Sequence, residues 1–113
     1  MKKILLVVRD IGLAEKLYQT CRKAQGGPIE PVHATSLAGG FCQLEEDTFE
    51  IIVCHTNLDD GNGLDLMKKV RTTSPKTRII GITPDSDMRS LMVSHCDCVA
   101  SPKTAAAELA KCI

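Results

Sequence analysis

The sequence has no tryptophan, and Tyr18, Phe41 and Phe49 are its only Phe or Tyr side chains, 3% of the residues. So little aromatic surface leaves no platform for stacking single-stranded bases. An excess of one charge is missing too: 14 Lys and Arg balance 14 Asp and Glu. Zero net charge is not the basic footprint of a nucleic-acid binder. A DNA-binding role would need a second domain, which these 113 residues do not contain. A long hydrophobic run is also absent. The longest, residues 4–8, is too short to span a bilayer. It follows two lysines, meets Arg9 and Asp10 directly, and has no small-residue cleavage site behind it, so it does not read as a secretory signal. The expectation is a chain with neither a nucleic-acid nor a membrane role.

Cysteine, by contrast, is abundant: Cys21, Cys42, Cys54, Cys96, Cys98 and Cys112. Small secreted scaffolds use such density in place of a core. A single domain of this length buries about two thirds of its unfolded surface, so it needs no cross-link or metal to fold. Four of the six stand where an apolar residue would serve, which reads as reduced thiols acting as small hydrophobes in a cytoplasmic protein.

Hydrophobic periodicity divides the chain into ten elements. Residues 3–8 (KILLVV), 49–54 (FEIIVC) and 78–82 are continuous apolar runs, the pattern of strands buried on both faces. Residues 29–33 form a shorter strand, and Pro31 places it at a sheet edge because proline lacks a ladder donor. Residues 98–100 are a brief fifth strand. Between them, residues 11–25 place Leu13, Leu17 and Cys21 on one helical face, with Asp10 as cap and Gly26 and Gly27 as the stop. Residues 36–46 read as a weaker helix. Residues 64–73 turn Leu64, Met67 and Val70 inward and end before Pro75. Residues 85–94 set Met88, Leu91 and Met92 on one side, and residues 104–112 turn Ala105, Leu109 and Cys112 inward. Residues 55–63 are a turn-rich loop.

Strand and helix alternate throughout, so the expected fold is one domain over residues 1–113. It is a flavodoxin-like three-layer α/β/α architecture around a five-stranded parallel sheet in the order 2-1-3-4-5. In that arrangement chemistry gathers at the carboxyl ends of the first, third and fourth strands, near Val8, Arg9, His55, Thr83 and Ser101.

Four segments, KILLVVRD, IIVCHTNLDDGNGLDLMKKVR (residues 51–71), RIIGITPDSD and CDCVASPKTAAAELA, fall in the order and spacing of the receiver domain of bacterial response regulators. The chain resembles that family over essentially its whole length, with Gly63 and Leu64 at the family's helix-opening Gly-Leu. The resemblance implies an aspartate that accepts a phosphoryl group at the end of the third strand, two acidic residues that hold Mg²⁺ after the first, and a Thr or Ser and a Lys that contact the phosphate. A hard divalent ion needs carboxylate oxygens, and phosphoryl transfer needs that ion. Here the acceptor position holds His55, the acidic positions hold Val8 and Arg9, and the lysine position holds Ser101. Thr83 and Pro102 match. Taking Asp59 or Asp60 as acceptor would leave too short a loop before Gly63.

The degenerate site is therefore Val8, Arg9, His55, Thr83, Ser101 and Pro102, with no catalytic residue, metal or cofactor expected. Arg9 pairing with a nearby Asp is one reading of it. An anion or small-ligand site made by Arg9, His55, Thr83 and loop amides is another. His95, Cys96 and Cys98 are a compact soft-ligand cluster; zinc wants four such ligands and this one supplies three, and redox sensing by Cys96 and Cys98 is a further reading. Met88, Leu91, Met92, Cys98, Ala106 and Ala110 outline a mildly apolar surface on the fourth helix, fifth strand and fifth helix, suited to a protein partner or a homodimer. What the resemblance implies is a phosphorylation-independent receiver-like signalling or scaffolding domain, in a bacterial two-component-type or targeting system. The alternatives are a small-ligand or redox sensor and an active phospho-accepting regulator.

Overall fold

The computed structural model describes residues 2–23 and 28–113. In chain order the elements are β1 (Lys2–Val7), α1 (Ile11–Lys23), β2 (Ile29–Ala34), α2 (Leu37–Glu46), β3 (Ile51–His55), β4 (Asn57–Leu58), β5 (Gly61–Asn62), α3 (Leu64–Thr73), β6 (Arg78–Ile82), α4 (Ser86–Met92), β7 (Cys98–Ala100) and α5 (Ala105–Cys112). Five parallel strands form one sheet in the order β2-β1-β3-β6-β7. This is the expected 2-1-3-4-5 order, once the small antiparallel β4–β5 hairpin is set aside. The hairpin lies inside what reads from the sequence as an unpaired loop.

The pleat sorts the strands' side chains into two cores. Ile4, Leu6 and Val8 pack with Ile51, Val53, Ile80 and Ile82 under α1 and α5. Leu5, Val7, Ile52, Cys54 and Ile79 pack on the other face, under α2, α3 and α4. Each fully buried Leu, Ile or Met contributes roughly 1.5–3 kcal/mol by leaving water. That double burial is why β1, β3 and β6 read as unbroken apolar runs.

β2 is an edge strand, as Pro31 requires. The amides of Lys2 and Val8 donate to the carbonyls of Pro28 and Ala34, so the even-numbered residues of β2 face β1. Pro31, an odd residue, turns its donor-less nitrogen to the open edge.

The helices begin with side-chain caps where the sequence supplies them. Asp10 Oδ1 accepts from the Gly12 amide at 2.9 Å, Ser36 Oγ from Gly39 at 3.0 Å, and Asp85 Oδ1 from Asp87 at 2.9 Å. The expected end of α1 at Gln25, Gly26 and Gly27 lies outside the described residues.

The face of α4 departs from the sequence reading. Met92 is fully buried, whereas Leu91 and Val93 are exposed. The Met92 thioether arm fills the space above Gly81, where a β-carbon would lie 2.3 Å from Met92 Cε. Met92 therefore belongs to the core and is not part of an interaction surface.

Candidate functional site

The carboxyl ends of β1 and β3, with the start of the β6–α4 loop, enclose a cleft of about 160 Å³ lined by Arg9, Asp10, His55, Asn57 and Pro84. Val8, just before it, is buried. Its amide donates to Ala34 O at 3.1 Å, and its carbonyl accepts from His33 Nε2 at 2.8 Å. Val8 thus extends the core row of β1 and contributes no side chain to the cleft. Arg9, the next residue, is exposed, and its Nη1 pairs with Asp59 Oδ1 across the cleft mouth at 2.5 Å.

His55 ends β3 and is half-buried. Its Nδ1 accepts from the Asn57 amide at 2.9 Å, which leaves the ring proton on Nε2 in the neutral imidazole. Burial, and then the Arg9 guanidinium, push its pKa below the ordinary histidine value, against a smaller opposing pull from Asp10. The pocket therefore holds one cation, one neutral imidazole and the Asp10 carboxylate that caps α1.

The loop between β3 and α3 is fastened at both sides. Asp59 reaches back to Arg9. Asp60 turns the other way, and its two carboxylate oxygens accept from the Leu37 and Ala38 amides at 2.8 and 2.9 Å. Those bonds hold the Asp60 carboxyl below the usual carboxylate range. Asp60 is thus a second cap on α2, supplied from 22 residues downstream of Ala38. Nothing local in the sequence points to it. Gly63 then closes the loop onto β3: its amide donates to Thr56 O at 3.0 Å, and a β-carbon there would sit 2.2 Å from His55 O and 2.7 Å from Cys54 Sγ. Its φ of −58° is ordinary, so the requirement for glycine is space.

Thr83, Ser101 and Pro102 do not line the cleft. Thr83 is buried; its amide donates to Ala100 O, and its hydroxyl accepts from the Asp85 amide at 3.2 Å, shaping the start of α4. Ser101 turns into α5, with its amide and its hydroxyl each 3.1 Å from Thr104 Oγ1. Pro102 is half-buried beside it.

The cysteine cluster separates. Cys98 packs on the α1–α5 side of the sheet and Cys96 on the α2–α4 side. Burial pushes the Cys96 thiol up to about 11. Burial, reinforced by a 3.2 Å hydrogen bond to Glu108, does the same to Cys98. Both thiols stay protonated near neutral pH, which disfavours them as nucleophiles in thiol exchange. Among the described residues no three His, Cys, Asp or Glu side chains converge as metal ligands. On the surface named for a partner, Leu91 and Ala110 are exposed, and Met88, Cys98 and Ala106 are half-buried.

No protein-family model matches the sequence, and no curated protein does. Solved structures do. A CheY-like response regulator receiver domain protein from Methanospirillum hungatei JF-1 superposes with a TM-score of 0.80 at 18% identity, covering 98% of this chain and 92% of the other. The signal receiver domain of an HD domain-containing protein from Pseudomonas fluorescens Pf-5 gives 0.83 at 18% identity, over 98% and 82%. The response regulator TrrA from Thermotoga maritima, solved in complex with Mg²⁺ and BeF, gives 0.78 at 20%, over 89% and 86%. The chain has the receiver-domain fold. The cleft of Arg9 and His55 lies at the carboxyl end of the sheet, and β7, with α4 and α5 on opposite faces beside it, forms one edge.

Proposed function

We propose that this receiver-like domain works without aspartyl phosphorylation, as a signalling or scaffolding module that a protein partner reads, in a bacterial two-component-type or targeting system. The observation that carries this reading is the chemistry at the end of β3. A neutral, half-buried His55 stands there beside the Arg9–Asp59 pair. The fold's relative TrrA was solved with Mg²⁺ and BeF. An ion of that kind needs a cage of oxygens. The cleft offers the Arg9 cation, an imidazole, and the Asp10 carboxylate with one oxygen already committed to the Gly12 amide. These residues do not fit the ion, and His55 supplies no carboxylate to accept a phosphoryl group. The surface left for recognition includes exposed Leu91 and Val93 on and beside α4, with Ala110 on α5. A second copy of the chain is one candidate for that partner.

The test exposes the purified protein to acetyl phosphate with Mg²⁺, followed by intact mass, and to beryllofluoride, followed by amide NMR. We expect an unchanged mass and no saturable shifts at His55, Thr83 or Ser101. A phosphoryl adduct, or Mg²⁺-dependent saturation at those amides, would overturn the reading.

A further inference from the structure

Another cleft lies at the other end of the sheet, at the amino ends of β3 and β6. It encloses about 380 Å³ and is lined by Lys2, Phe49, Glu50, Ile51, Lys76, Thr77, Arg78 and Cys112. We propose that it is a binding site for a small organic anion bearing a phosphate or carboxylate group.

The pleat explains why cations gather here. On the α1–α5 face, the β1 row runs Lys2, Ile4, Leu6, Val8, and the β6 row runs Arg78, Ile80, Ile82. Ile51 of β3 lies between them and pairs with Arg78. α5 ends on this face at Cys112, which lines the cleft. The first residue of each outer row is then a cation, and the middle one is a buried isoleucine. Lys76 adds a third positive charge from the α3–β6 loop. Phe49 and Ile51, both almost fully buried, give the cleft an apolar floor. The Thr77 hydroxyl is already committed to Phe49 O at 2.8 Å.

Three cations therefore face one carboxylate, Glu50, in a protein whose overall charge is zero. None of the ion pairs among the described residues involves Lys2, Lys76 or Arg78. The opposite face of the same end shows the contrast: Lys3, one residue on, is neutralised by Asp47 and Glu30. A concave site with an apolar floor and a rim of one charge sign concentrates ions of the other sign. Its volume is at the small end of those that hold organic ligands.

The experiment is a titration with pyrophosphate and, separately, citrate at constant ionic strength, read by amide NMR on the full chain. Saturable shifts at Lys2, Ile51, Thr77 and Arg78 are expected. The arm that binds more tightly decides between phosphate and carboxylate. A Lys76→Ala/Arg78→Ala double variant removes two exposed side chains and no core contact, and it should weaken binding about ten-fold or more. Its thermal midpoint checks that it is folded. Shifts that never saturate, that spread equally to Arg9 and other surface cations, or that persist in the double variant would overturn the proposal. The outcome is independent of the phosphorylation test, because the two clefts lie at opposite ends of the sheet.

Discussion

At the carboxyl end of the sheet, Arg9 is tied to Asp59, Asp60 is tied to the first amides of α2, and His55 is kept neutral by burial and by Arg9. At the amino end, Lys2, Lys76 and Arg78 surround a larger cleft with no ion pair among the described residues. The charged residues have opposite consequences at the two ends. In the first cleft the chain supplies its own counter-charges and closes its own loop. In the second it leaves the cations to solvent or to a ligand. On the function proposed above, the carboxyl end serves as a structural joint, and the proposed anion site places binding at the amino end.

The strongest test of that contrast is Gly63→Ala. If the carboxyl end is a packed joint, a single methyl there must displace the His55 carbonyl, which is backbone and cannot swing aside. The expected loss is about 1–3 kcal/mol or more, the range for overpacking a filled site. It should appear as a fall in the denaturant midpoint with an unchanged slope. A neutral result would mean that the β3–α3 loop gives way easily and is not a joint.

His55 provides a second test through pH. Its folded pKa lies below the ordinary value of 6.5, chiefly through burial. Below about 6.5 the unfolded chain therefore binds more protons than the folded one. The contribution to stability is complete above that value, and it is lost as pH falls toward the folded pKa. His55→Gln should flatten the rise in stability that the wild type shows as pH approaches about 6.5 from below, and leave the dependence above it alone. Urea midpoints at several pH values measure this. An unchanged slope would show that His55 is solvated and that the cleft is open.

Much of this contrast was legible in the sequence, for definite reasons. Unbroken apolar runs mark strands covered on both faces, so β1, β3 and β6 and their order followed from periodicity and from Pro31 in β2. Arg9 and His55 were found because strand ends are located by where those runs stop. Asp60 was not legible, because its partners on α2 are brought near only by the crossover. Met92 was misread because Met88, Leu91 and Met92 are all apolar, and only the gap over Gly81 decides which one turns inward. Thr83 and Ser101 were placed at the right strand ends, but side-chain direction there depends on turns with Asp85 and Thr104 that no period encodes. The amino-end cleft was missed for a related reason. Lys2 and Arg78 look like ordinary strand-flanking charges until the register sets them on one face.

The smallest expected effect concerns Arg9 itself. The Arg9 and Asp59 side chains are 56% and 76% exposed, so their attraction is screened by water, and holding two mobile side chains together offsets part of it. Arg9→Ala should change stability by less than about 0.5 kcal/mol, with the coupling isolated by a double-mutant cycle with Asp59→Ala. Its electrostatic consequence should be easier to detect than its energetic one. Arg9 is the second cause of the depressed His55 pKa, so removing it should raise that pKa in an NMR titration of the imidazole. A large stability loss with no change at His55 would reverse the argument: Arg9 would then act as a structural clamp on the loop and not as the charge that keeps His55 neutral. A small loss with a raised pKa is what a cleft that neutralises itself requires, and it would leave the amino end as the place where this domain's cations remain free to meet a ligand.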